Sequence, residues 1–74
     1  MTYPQIYRPQ VGDEVTFTGY TEAQVLWGGN DYPLMLTIGD TYVIEKVDDH
    51  ASYTKVSLVG ITGKFNSVHF DPLA

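Results

Sequence analysis

The segment Trp27-Gly28-Gly29-Asn30-Asp31-Tyr32 sets an indole and a phenol beside glycines and short polar side chains. An aromatic ring flanked by residues without bulk makes a shelf on which a flat ligand can stack. Asn30 and Asp31 would offer hydrogen bonds at the edge of that shelf, and the amides around Gly28 and Gly29 would be open to an anion. The same residues also read as architecture. A small domain needs large side chains to close its core, so Trp27 would plug one end while the glycines turn the chain.

A second constellation is Lys46 with Lys55, near Lys64, Ser57 and Tyr42. If residues 49–52 form the turn of a hairpin, Asp48 stands opposite Tyr53 and Lys46 opposite Lys55. Like charges directly across a ladder repel, so this pair would suit a phosphate or carboxylate held between the ammonium groups. The plainer reading is two surface lysines relieved by Glu45, Asp48 or solvent.

Other chemistries lack their residues. His50 falls in the expected turn beside Asp48 and Asp49, and His69 in the expected last strand, with no cysteine and no closely spaced third ligand, so no metal site is expected. Ser52, Ser57 and Ser67 have neither a Gly-x-Ser-x-Gly context nor a histidine placed to activate them. Phosphate-loop and dinucleotide glycine motifs are absent too. The expectation is a protein that is not an enzyme and carries no cofactor.

The elements that must position these residues fit one domain of 74 residues, 43% of them hydrophobic and 18% charged. That balance supports a packed core. Four basic side chains against nine acidic ones leave a formal net charge of -5, the wrong sign for nucleic acid. The acidity favours solubility and would also suit a basic patch on a partner protein. With no cysteine, no apolar leader core near Met1 and no run approaching the roughly 18 apolar residues of a membrane span, a cytoplasmic protein is expected.

Pro4 and Pro9 make residues 1–10 an extended arm, which would pack on its own domain or carry Tyr3, Ile6 and Tyr7 onto a neighbouring subunit and so build a homo-oligomer. Residues 11–72 then form the folded unit. Val15 and Phe17 share one face of the first strand. Thr21 and Gln24 have capping-box spacing, which predicts one or two helical turns through Trp27, and Gly28 to Asn30 end them. In the hairpin of residues 41–60 the expected register makes Val43, Val47, Val56 and Leu58 the core face. The expected core also includes Phe17, Leu36, Ile38, Phe65, Val68 and Phe70.

Gly63, Phe65, Asn66 and Ser67, followed by Val68 to Phe70, resemble the end of an SH3-like domain, where a strand closes into a 3-10 turn and a short last strand. Leu36-Thr37-Ile38-Gly39-Asp40-Thr41-Tyr42 is similar to the turn that starts the central hairpin in many small bacterial and bacteriophage SH3-like proteins. Together with Trp27 to Pro33 and the Lys64-Phe65-Asn66-Ser67-Val68 ending, residues 11–70 resemble a group of short phage- and prophage-encoded proteins. The resemblance implies an all-β fold, a small SH3-like antiparallel β-barrel with a short helical turn. It does not imply proline-peptide binding, because the acidic loop and paired tryptophans of that groove are missing. The expected function is a non-catalytic phage or prophage protein that occupies or inhibits a host bacterial protein, defence factors included, in the host cytoplasm. The alternative is a protein that sequesters a small phosphorylated metabolite or signalling nucleotide, with Trp27 on the base and Lys46 and Lys55 on phosphate.

Overall fold

A computed structural model of the chain describes residues 8–73. The expected arm lies outside these apart from Arg8, Pro9 and Gln10, of which Pro9 is buried. In chain order the elements are β1 (Glu14–Phe17), α1 (Glu22–Leu26), β2 (Thr41–Asp49), β3 (Thr54–Leu58), β4 (Ile61–Asn66), a 3-10 turn (Ser67–His69) and β5 (Phe70–Pro72). The strands form one antiparallel sheet in the order β4-β3-β2-β1-β5.

Alternation in β1 buries Val15 and Phe17 and turns Glu14 outward, as the period-2 pattern requires. β4 and β5 stand at opposite ends of the strand order yet are joined only by residues 67–69, so the sheet curls around its core. Val15, Phe17, Leu36, Ile44, Val56, Leu58, Phe65 and Phe70 fill that core, with Tyr42, Val47 and Ile61 packed against it.

The β2–β3 hairpin turns one residue later than expected, which shifts its cross-strand pairing by two residues. Its turn is residues 50–53, closed by the His50 N–H donating to the Tyr53 carbonyl at 2.9 Å. Asp49 pairs with Thr54, Asp48 with Lys55, Val47 with Val56 and Lys46 with Ser57. Two local contacts favour this register: Thr54 Oγ1 donates to Asp49 Oδ1 at 2.6 Å, and the Tyr53 ring stacks on His50 at 4.5 Å. Lys55 therefore faces a carboxylate instead of Lys46.

A bulge between Ile44 and Lys46 then breaks the alternation of β2. Glu45 is the extra residue, so Ile44 and Val47 both turn inward. Ile44 is 1% exposed and Val43 37%, which exchanges the faces expected for that half of the strand. Ile38 and Val68 also leave the expected core, at 69% and 49% exposed. Val68 belongs to the 3-10 turn instead of the last strand, and His69 takes the buried position beside it.

Candidate functional site

Helix α1 ends where the sequence says it must. The Thr21 hydroxyl accepts the Gln24 N–H at 3.2 Å, and the Gln24 side chain accepts the Thr21 N–H at 3.1 Å. That reciprocal pair satisfies amide donors left over at the helix start. Trp27 leaves helical geometry (φ -71°, ψ 100°), while Gly28 and Gly29 take φ of 87° and 71°, a region glycine enters without steric cost.

The terminal carbonyls of α1 need donors, and two asparagines supply them. Asn30 Nδ2 donates to the carbonyls of Trp27 at 2.7 Å, Val25 at 3.1 Å and Gln24 at 3.3 Å. Asn66 Nδ2 donates to the Gln24 carbonyl at 2.8 Å. Asn30 is thus buried and its amide nitrogen is spent on the helix end, so it does not edge an open shelf as the sequence pattern suggests. Asp31 is also structural: its carboxylate accepts the Lys64 N–H at 2.8 Å and its own N–H donates to the Lys64 carbonyl at 2.9 Å.

Tyr32 donates weakly to Glu22 Oε1 at 3.4 Å and meets Tyr20 edge to face at 6.0 Å. Desolvation, then the Glu22 carboxylate it donates to, raises its phenol above the ordinary value.

Trp27 is not a core plug. It is 54% exposed and lines a groove of about 520 Å³ whose other wall is the hairpin turn, with His50, Tyr53 and Thr54, and whose end carries Ser67 and Val68. Gly28 brings the walls together, since its backbone lies directly against the Tyr53 ring. Lys55 fastens the same junction, its Nζ donating to the Gly29 carbonyl at 3.3 Å and standing 5.7 Å from the Tyr53 ring centre. Of the residues expected from the sequence to bind a ligand, Trp27 alone lines the groove; His50, Ser52 and Ser67, weighed there for metal binding or nucleophilic catalysis, line it too. Gly28, Gly29, Asn30, Asp31 and Lys55 build its frame, and Tyr32 flanks α1.

Lys46 does not join them. It lies opposite Ser57, offset from Lys55, and neither lysine lines the groove. The clamp expected from a Lys46–Lys55 pair is not formed: Lys55 is held at Gly29 opposite Asp48, and Asp48 also takes His50 at 3.1 Å and Lys64 at 3.9 Å. Tyr53 is the groove residue that sequence reasoning missed as a site residue, while His50 and Val68 read there as a metal candidate and as core. The signal for Tyr53 was weak, because an aromatic next to a turn says nothing of what crosses to meet it.

His69 is fully buried among the rings of Phe17, Tyr20 and Phe70, and neither ring nitrogen has a hydrogen-bond partner among the described residues. Desolvation lowers its pKa, so the imidazole is held neutral. Among the described residues no group of three His, Asp or Glu side chains gathers as a metal would require.

The family model described as Bacteriophage T4 protein Y07B matches residues 29–73. The chain belongs to this family. It is accordingly a short phage protein. The matched segment contains the whole run from β2 to β5 and the hairpin wall of the groove, whereas β1, α1 and Trp27 precede it. No curated protein and no solved structure matches the chain.

Proposed function

We propose that this phage protein is a non-catalytic binding protein that occupies a host protein, a defence factor being the class it would serve to inhibit, through the groove between Trp27 and Tyr53. The observation that carries this reading is the half-exposed indole of Trp27, held on a glycine junction across from the stacked Tyr53 and His50 rings. Exposed large aromatics on a rigid frame are what binding hot spots are made of. The strand order and the 3-10 turn before β5 support an SH3-like arrangement as the scaffold. The site of action is the host cytoplasm.

The charges favour a protein over a phosphorylated ligand. The groove is lined by one carboxylate, Asp49, and one guanidinium, Arg8, and neither Lys46 nor Lys55 is in its walls, so the two-lysine clamp expected for a phosphorylated ligand is missing.

Affinity purification from a bacterial host tests the reading. The wild-type chain should recover a stoichiometric host protein that Trp27→Ala does not. Recovery of none at low and physiological salt would overturn it. A rise in melting temperature with a nucleotide would put the sequestering alternative in its place.

A further inference from the structure

Val15 and Phe17 point into the core, so Glu14 and Thr16 point outward, onto a sheet face that contributes no residue to the groove. Across the strands an outward row runs Leu73, Glu14, Val43 and Val59. The Leu73 N–H donates to the Glu14 carbonyl at 3.2 Å, Glu14 pairs with Val43, and the Val59 N–H donates to the Val43 carbonyl at 2.9 Å. Leu73 is 47% exposed, Val43 37% and Val59 56%. Asp71 stands beside the row, opposite Thr16, and Glu45 sits in the bulge past Val43. An apolar stripe is thus set among three exposed acidic side chains, Glu14, Glu45 and Asp71. Among the described residues none of these carboxylates has an ion-pair or hydrogen-bond partner.

We propose that this sheet face docks a partner protein whose surface has an apolar centre and a lysine or arginine rim, a contact additional to the groove. Charge complementarity selects that occupant. A second copy would press the same carboxylates together, and nucleic acid or an anionic membrane would bring further negative charge to them. A simple cation would answer the carboxylates but leave Val43, Val59 and Leu73 uncovered. An apolar centre with a cationic rim answers both, and protein interfaces divide in that way. The chain's own cations leave the face acidic. Arg8 lines the groove, Lys55 is held at the Gly29 carbonyl and Lys64 lies beside Asp48; Lys46 alone comes near, one rung on, opposite Ser57.

Titrating the isotope-labelled full chain with a capped Lys-Lys-Leu-Leu-Lys-Lys peptide, followed by amide chemical shifts, tests the proposal without any host protein, and so independently of the groove. Saturable shifts should centre on Thr16, Val43, Glu45, Val59 and Asp71. The same peptide with serine for leucine should bind at least about threefold more weakly, and one with glutamate for lysine should produce no shift. Added sodium chloride should weaken binding. Glu14→Lys should weaken it at least about tenfold. Glu22→Lys changes net charge equally but lies on α1, and should leave it within about twofold. Circular dichroism checks that each variant folds; if Glu14→Lys does not, Asp71→Lys gives the same reading. No shift at millimolar peptide, shifts centred on Trp27 and Tyr53 or spread evenly over all carboxylates, binding as strong with serine for leucine, binding indifferent to salt, or equal losses from Glu14→Lys and Glu22→Lys would each overturn the proposal.

Discussion

The backbone of Gly28 rests on the ring of Tyr53: a Cβ at residue 28 would stand 2.7 Å from the ring's Cε2. This contact couples the end of α1 to the β2–β3 turn, and those are the two walls of the groove. Gly28 and Gly29 both have positive φ, but nothing lies within 4 Å of a Cβ at Gly29. Gly29→Ala therefore meets only backbone strain, whereas Gly28→Ala meets strain and collision. Gly28→Ala should lose about 1–2 kcal/mol more than Gly29→Ala in urea denaturation. Equal losses would mean that the Tyr53 ring yields freely and the walls are not coupled.

Asn30 and Asn66 both donate to the Gln24 carbonyl, at 3.3 and 2.8 Å. Removing either leaves buried helix-end carbonyls short of a donor, so Asn30→Ala and Asn66→Ala should each cost about 1–3 kcal/mol. Because they share an acceptor, the double variant should depart from additivity by at least about 0.5 kcal/mol. A double-mutant cycle by chemical denaturation reads both quantities, and strict additivity would show that the shared carbonyl does not link them.

How much of this was legible from sequence follows the range of the interaction. The capping box at Thr21 and Gln24 and the glycine stop at Gly28 involve near neighbours, and the helix forms as their spacing says. The hairpin turn was missed by one residue and its pairing by two because their determinants act through space: the Tyr53 ring on His50, and a bulge at Glu45 that lets Ile44 and Val47 share the core. Alternation alone cannot reveal an extra residue within a strand. That two-residue shift in pairing also dissolves the expected Lys46–Lys55 pair. Asn30 reads as a ligand-facing amide only until the helix end is known, when its donors prove to be taken by Trp27, Val25 and Gln24.

His69 gives the fold a pH dependence. The folded chain keeps its imidazole neutral by burial, while the unfolded chain protonates near the ordinary value of 6.5. Below that pH the unfolded state binds the extra proton, so stability falls as pH drops from 6.5 toward the lowered folded value and is fully retained above 6.5. The slope from this group is limited to about 1.4 kcal/mol per pH unit. His69→Phe keeps an aromatic ring among Phe17, Tyr20 and Phe70 and should remove that component. Urea midpoints taken across this range should diverge between wild type and variant as the solution is acidified; parallel curves would show that His69 does not set the dependence.

Trp27 separates binding from folding. A buried indole truncated to alanine costs about 3–5 kcal/mol, but this ring is 54% exposed and its residue is held through backbone contacts: its N–H donates to the Ala23 carbonyl at 3.1 Å, and its carbonyl accepts from Asn30 Nδ2 at 2.7 Å. Alanine at position 27 preserves both. Trp27→Ala should therefore lower stability by no more than about 1 kcal/mol, in the range of surface substitutions with modest packing loss. Loss of a hot-spot aromatic should in contrast weaken partner binding by at least about 2 kcal/mol, or some thirtyfold. Chemical denaturation and titration against the recovered host protein measure the two effects independently. A variant that stays folded and binds as the wild type does would remove the groove from the functional surface, and one that unfolds would return Trp27 to the core, against its exposure.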